Sequence, residues 1–168
     1  MSEPLEIERK YLILRPDEEA LCALCSSVYE IEQTYLRSHE GVPARVRRRV
    51  GAREEFFHTE KERRSDRTCV ERERLIDRAE YERLLLQKAD DALTVCKRRY
   101  CLPYEGFTFE IDIYPFWQRV AVMEVELESE AQKFTLPPQI TVVREVTDDY
   151  RMKNAALARH IPDEAELL

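Results

Sequence analysis

Successive side chains of an extended strand point to opposite faces, so a period-two pattern shows which residues share a surface. Alternation of this kind runs through most of the chain. Glu6, Glu8 and Lys10 fall on one face of the first such segment. Arg45, Arg47 and Arg49 do so in the next, followed by Thr59 with Lys61, Glu71 with Glu73, Lys97 with Arg99, Glu110 with Asp112, and Glu124 with Glu126. The opposite face is apolar where it can be read, as in Phe107, Phe109, Ile111 and Ile113. Strands are expected over 5–12, 44–50, 55–61, 69–76, 94–102, 107–114, 121–128 and 140–146, about eight in all.

Helices are expected between them. One runs from Pro16, at the first helical position, to Val28, and a second starts at a capping box of Asp77 and Glu80 and runs to about Ala89. Ser129 with Gln132 repeats that signature for a short helix, and a last helix is expected from near Asp149 to His160, stopped by Pro162. With 168 residues and no repeat or long linker, the chain reads as one domain over 1–168, its core spanning about 5–160.

Two architectures accommodate charged rows backed by apolar rows. In a sandwich the charges face water and the apolar faces bury one another. In a closed barrel wrapped by helices, the apolar faces pack outward and the charges line the interior. Inward charges cost several kcal/mol each unless they are paired or hold ions and ligand, so the second arrangement implies a function.

The sign of the charges bears on that choice. Carboxylates repeat within strands, at Glu6/Glu8, Glu71/Glu73, Glu110/Asp112 and Glu124/Glu126, and bases repeat at Arg45/Arg47 and Lys97/Arg99. Paired carboxylates offer hard oxygen ligands for Mg²⁺ or Mn²⁺, while guanidinium forks and ammonium groups suit phosphate oxygens. Placed in one cavity, they suit a metal-bound chain of phosphates.

Several chemistries are excluded. Three glycines, Gly41, Gly51 and Gly106, cannot write a Walker or dinucleotide fingerprint. The net charge of −7 disfavours a nucleic-acid face, and no apolar run reaches membrane-spanning length. Met1 to Pro4 lacks the basic start of a leader peptide, and the expected compartment is the cytoplasm. Cys22, Cys25, Cys69, Cys96 and Cys101 are read as reduced, buried thiols, because zinc needs about four ligands and Cys22-x-x-Cys25 has no second pair. Trp117 is expected to pack a turn, and Arg48, Arg49 and Arg63 to Arg67 to be solvated.

Glu6-Ile7-Glu8-Arg9-Lys10 resembles the Glu-x-Glu-x-Lys signature of the CYTH superfamily, the triphosphate tunnel metalloenzymes. Gln33 to Leu36, Arg45 to Arg47, Thr59 to Lys61, Glu71 to Glu73, Lys97 to Tyr100, Phe109 to Asp112, Glu124 to Glu126 and Val146 to Asn154 follow in the family's order, so the likeness spans Glu6 to His160. Departures are confined to Glu60, to the loop of Arg63 to Arg67, and to Met152.

The resemblance implies an α+β fold: an eight-stranded antiparallel closed β-barrel, a tunnel with a charged interior, flanked by helices. It implies hydrolysis of inorganic triphosphate with Mg²⁺ or Mn²⁺, by a monomer or homodimer. By analogy the metal set is Glu6, Glu8, Glu71, Glu73, Asp112, Glu124 and Glu126, with Asp112 also orienting a basic neighbour. Lys10, Arg45, Arg47, Lys61, Lys97, Arg99 and Lys153 would grip phosphates. Tyr35, Lys97 and Glu73 are the catalytic candidates, Tyr35 by positioning the hydrolytic water. Adenylate cyclisation, thiamine or nucleoside triphosphate hydrolysis, and polyphosphate or nucleotide binding without turnover are the alternatives.

Overall fold

The computed structural model describes residues 5–65 and 68–168. Met1 to Pro4 and Arg67, which figured in the expectations above, lie outside them.

The first strand, β1 (Leu5–Leu14), organises the sheet. It is followed by helix α1 (Glu18–Leu24), strands β2 (Ser27–Tyr35), β3 (Ala44–Val50), β4 (Glu54–Arg63) and β5 (Thr68–Ile76), and helix α2 (Arg78–Leu85). Strands β6 (Val95–Tyr104), β7 (Phe107–Ile113), β8 (Val120–Leu127) and β9 (Val142–Glu145) precede a 3-10 turn at Tyr150–Met152 and the short helices α3 (Asn154–Leu157) and α4 (Glu164–Leu167). All strand pairings are antiparallel, in the order β5-β4-β3-β2-β6-β7-β8-β1, and β1 returns to β5 to close an eight-stranded barrel. The sandwich is thereby excluded.

One edge of β1 serves two partners. Leu5, Glu6 and Ile7 face Val70, Cys69 and Thr68 of β5, whereas Tyr11, Leu12 and Ile13 face β9. Between them, Lys10 N donates to Thr147 Oγ1 at 3.0 Å, and Val146 N donates to Lys10 O at 2.8 Å. The other edge pairs with β8 from Ile7 to Leu14. The eight barrel strands therefore include β2 and leave out 140–146, whose β9 lies alongside.

The missed strand has a physical cause. Helix α1 starts where Asp17 accepts from Ala20 N, but it stops at Leu24, and β2 presents Ser27, Tyr29, Ile31, Gln33 and Tyr35 to the interior. That row has no charge, and the charges Glu30 and Glu32 point outward to Arg98 and Arg48. The remaining helices also differ. Asp77 caps α2 through Glu80 N as expected. Around Ser129 the chain forms a turn, with Glu128 N bonded to the Gln132 side chain at 2.7 Å, and the C-terminal helix is broken at Lys153, whose backbone is extended. The β6–β7 hairpin turns through Glu105 and Gly106, both at positive φ, as two-residue hairpins favour.

Apolar side chains cover the barrel in two outer patches. Phe109, Ile111, Met123 and Val125 pack with Leu21 of α1 and with Phe134 and Ile140 of the β8–β9 connection. Val46, Phe56 and Ile76 pack under Tyr81 and Leu84 of α2. Each full burial of such a side chain stabilises by about 1.5–3 kcal/mol. A third cluster fills one end of the barrel, where Leu12 and Val122 continue the rows of Lys10 and Glu124 and meet Trp117, Met152, Leu157 and Leu167. Trp117 is 1% exposed and donates through Nε1 to Pro162 O at 3.0 Å. All five cysteines are free. Cys69 is buried, but Cys22 and Cys96 are exposed, contrary to expectation: Cys96 lies on the outer face of β6, and Cys22 on the solvent side of α1.

Candidate active site

The inward rows enclose a cavity of about 720 Å³, within the size range of small-molecule sites. Nine basic side chains and seven carboxylates line it, a local excess of two positive charges in a chain of net charge −7. Among the residues named from sequence, Glu6, Glu8, Lys10, Tyr35, Arg45, Arg47, Lys61, Glu71, Glu73, Lys97, Arg99, Glu124, Glu126 and Lys153 all line this cavity.

Asp112 is the exception, and its metal-ligand assignment does not fit its surroundings. It is fully buried, and its oxygens accept from Lys97 Nζ at 2.7 Å and from Arg99 Nε and Nη2 at 2.7 and 2.8 Å. Burial works against its charge, but the two cations hold its pKa below the ordinary value. The position suits the orienting role alone: Asp112 aims Arg99 towards the cavity, where Arg99 also meets Glu110.

Lys97 is held from three sides. Asp112 binds its ammonium, Asn154 Oδ1 lies at 3.5 Å, and the Tyr114 ring is 5.8 Å away. Burial and the charge of Arg99 bring its pKa down to about 8. Tyr114 donates to Asn154 Oδ1 at 2.8 Å and so fixes that amide. Neither Asn154 nor Tyr114 was singled out as a site residue from sequence, although Asn154 belongs to the matching C-terminal motif.

The carboxylates of the cavity differ in state. Glu124 forms an ion pair with Lys10 at 3.0 Å and lies 3.9 Å from Arg99, and despite burial these cations keep it ionised. Lys61 lies 2.5 Å from Glu6 and 3.3 Å from Glu71. Burial raises the pKa of Glu6, but Lys61 outweighs it and holds the group at about 2. Burial lifts Glu71 instead. Glu8 has no hydrogen bond or ion pair among the described residues, and burial with the charge of Glu124 pushes it up to about 7. Glu126, more exposed, is raised by partial burial and by Glu6.

On the opposite wall, Arg47 binds Glu73 at 2.8 Å, and Thr59 Oγ1 donates to the same carboxylate at 2.9 Å. Arg45 lies 3.8 Å from Glu71. The Nε atoms of Arg45 and Arg47 are buried and make no hydrogen bond to any described residue. Gln33 donates to the Tyr35 hydroxyl at 2.6 Å, fixing that oxygen at the cavity wall. Arg49, read from sequence as solvated, lies inside instead, between the rings of Tyr29 and Phe57 at 4.7 Å each and paired with Glu55. Lys153 reaches the cavity from the extended residue before α3, its pKa lowered by burial and by Arg63 and Lys10.

These groups fit a divalent ion together with a polyanion. Glu8 and Glu71 provide hard oxygen donors, and the buried Oε2 of Glu71 lacks a hydrogen bond from any described residue. Unpaired guanidinium donors call for an anion.

No family model matches the sequence. The chain is 34% identical over 163 residues to an inorganic triphosphatase of Nitrosomonas europaea, a match covering 94% of this chain and 99% of that protein. A crystal structure of an inorganic triphosphatase shares 32% identity at a TM-score of 0.55, covering 94% of this chain and 100% of that one. A protein from Pyrococcus horikoshii has a TM-score of 0.53 at 21% identity, covering 74% and 80% of the two chains, a likeness of fold. Among the described residues no helix is long and apolar enough to cross a membrane.

Proposed function

Because the chain belongs to the CYTH superfamily of triphosphate tunnel metalloenzymes, we propose that it hydrolyses inorganic triphosphate to diphosphate and phosphate with the help of Mg²⁺ or Mn²⁺. The observation that carries this reading is the pair of buried guanidinium Nε atoms, of Arg45 and Arg47, without a hydrogen-bond partner among the described residues, inside a cavity of net positive lining. Phosphoryl transfer needs mainly positioning and charge neutralisation, and the walls offer both.

Glu6, Glu8, Glu71, Glu124 and Glu126 are the carboxylates that would hold the metal. When bound, such an ion neutralises phosphate oxygens and lowers the pKa of a coordinated water. Lys10, Arg45, Arg47, Lys61, Arg99 and Lys153 bind the phosphate oxygens. Asp112 keeps Arg99 and Lys97 oriented, and Lys97 neutralises charge from the wall. Tyr35, fixed by Gln33, and Glu73, fixed by Thr59 and Arg47, orient the attacking water. The free thiols suit the reducing cytoplasm as the setting.

The test is product analysis on triphosphate, thiamine triphosphate, ATP and longer polyphosphate, each with Mg²⁺, Mn²⁺ or chelator. Metal-dependent phosphate release, strongest on inorganic triphosphate, is expected. Cyclic AMP from ATP, or silence on every substrate, overturns the reading.

A further inference from the structure

Cys69 stands opposite Glu6 across the β1–β5 pairing and shares its inward face. Its thiol donates to Glu6 Oε2 at 3.1 Å. Glu71, two residues along the same row, completes a group in which the sulfur and one oxygen of each acid lie within 4.8 Å of one another. The Oε2 of Glu71 is buried and receives no hydrogen bond from the described residues. Lys61 now supplies a single positive charge to both carboxylates. A doubly charged ion at that point gains more Coulomb energy than an ammonium does. Mg²⁺ draws on the oxygens alone, whereas Zn²⁺, Co²⁺ and Cd²⁺ also take thiolate sulfur.

Building on the triphosphatase reading, whose metal set contributes two of these carboxylates, we propose that Glu6, Cys69 and Glu71 form a sulfur-and-oxygen site for a thiophilic divalent cation of the Zn²⁺ class. This cation competes there with Mg²⁺ or Mn²⁺. On binding, the S–H bond breaks, the proton passes to solvent, and the sulfur lone pair forms the bond to the metal. Lys61 gives up its carboxylate contacts. No redox change is involved.

Co²⁺ is the probe, added to the full chain without substrate. The expected result is one Co²⁺ per chain with a near-ultraviolet thiolate-to-metal charge-transfer band, which Zn²⁺ abolishes. Cys69→Ser removes the band and weakens Co²⁺ binding at least about tenfold, and Glu6→Gln also removes it. The double substitution Cys22→Ser, Cys96→Ser, which deletes the exposed thiols, keeps it. Absence of Co²⁺ binding, binding by wild-type protein without the band, or a band that survives in Cys69→Ser overturns the proposal, and the first two need no variant to fold. Phosphate release with Mg²⁺ reports separately on the triphosphatase reading. Turnover without a sulfur band sinks the cysteine site alone, and a Cys69-dependent band without turnover sinks hydrolysis alone.

Discussion

Replacing Glu8 by Gln should stabilise the metal-free protein, with a dependence on pH that follows from the side chain's surroundings. Glu8 is half-buried beside Glu124 and has no hydrogen bond or ion pair among the described residues, and desolvation with the charge of Glu124 puts its pKa at about 7 against an ordinary 4.5. At about 1.4 kcal/mol per pH unit, the ionised side chain costs the folded state about 3 kcal/mol. A folded-state pKa above the unfolded one means that the folded chain holds the proton more tightly. The associated stability is present in full below 4.5 and is lost as pH rises through 7. Glu8→Gln removes that loss, so the variant should gain about 3 kcal/mol at pH 8, roughly 6–12 °C in melting temperature for a chain of this size, and almost nothing near pH 4. The assay is urea unfolding in chelator across pH 4–8, followed by the fluorescence of Trp117, the chain's single tryptophan. A variant no more stable than wild type at pH 8, or one whose advantage is the same at every pH, refutes the reasoning.

Three further outcomes can be checked directly. Asp112→Asn removes the carboxylate charge that buried Lys97 and neighbouring Arg99 share and should lower the unfolding free energy by about 3–5 kcal/mol, measured by urea titration. Trp117→Ala empties the centre of the cluster at the closed end of the barrel and should cost about 3–5 kcal/mol, followed by circular dichroism because the fluorophore is gone. Arg45→Lys keeps the charge but loses the planar donor fork, and kcat/KM for triphosphate should fall about 10- to 100-fold with unfolding little changed; an unaltered kcat/KM removes Arg45 from the phosphate grip.

Much of the site was legible because strand geometry converts spacing into shared faces. Once Glu6, Glu8 and Lys10 alternate, any strand puts them on one surface, and the same holds for Arg45 with Arg47 and for Glu124 with Glu126. Periodicity could not say which surface faces inward. β2 shows why: its outward row carries Glu30 and Glu32 and its inward row Tyr29, Ile31 and Gln33, the reverse of the other strands. Ion pairs such as Arg48 with Glu32 and Glu54 run across the outer face of β2, β3 and β4. Nor could alternation separate Asp112 from Glu110, two residues apart on one face. Only the depth of Lys97 and Arg99 decides that Asp112 is consumed by them. Cys69 was hidden for a similar reason, since its nearness to Glu6 arises from barrel closure.

The two-partner edge of β1 has a consequence for how the protein comes into being. Arg9 is bonded to Glu145, 136 residues further along the chain, and β1 finds β8 and β9 only after nearly all of the polypeptide exists. Contacts this distant in sequence pay loop closure before they give any return, which slows folding. During synthesis at about 5–20 residues per second, the first strand spends several seconds off the ribosome with open hydrogen-bonding edges. Its alternating charges then serve a second purpose. Glu6, Glu8 and Lys10, with Arg9 on the other face, keep a waiting strand soluble and reluctant to pair with a neighbouring nascent chain, so the row that lines the finished cavity first acts as the strand's own guard against aggregation.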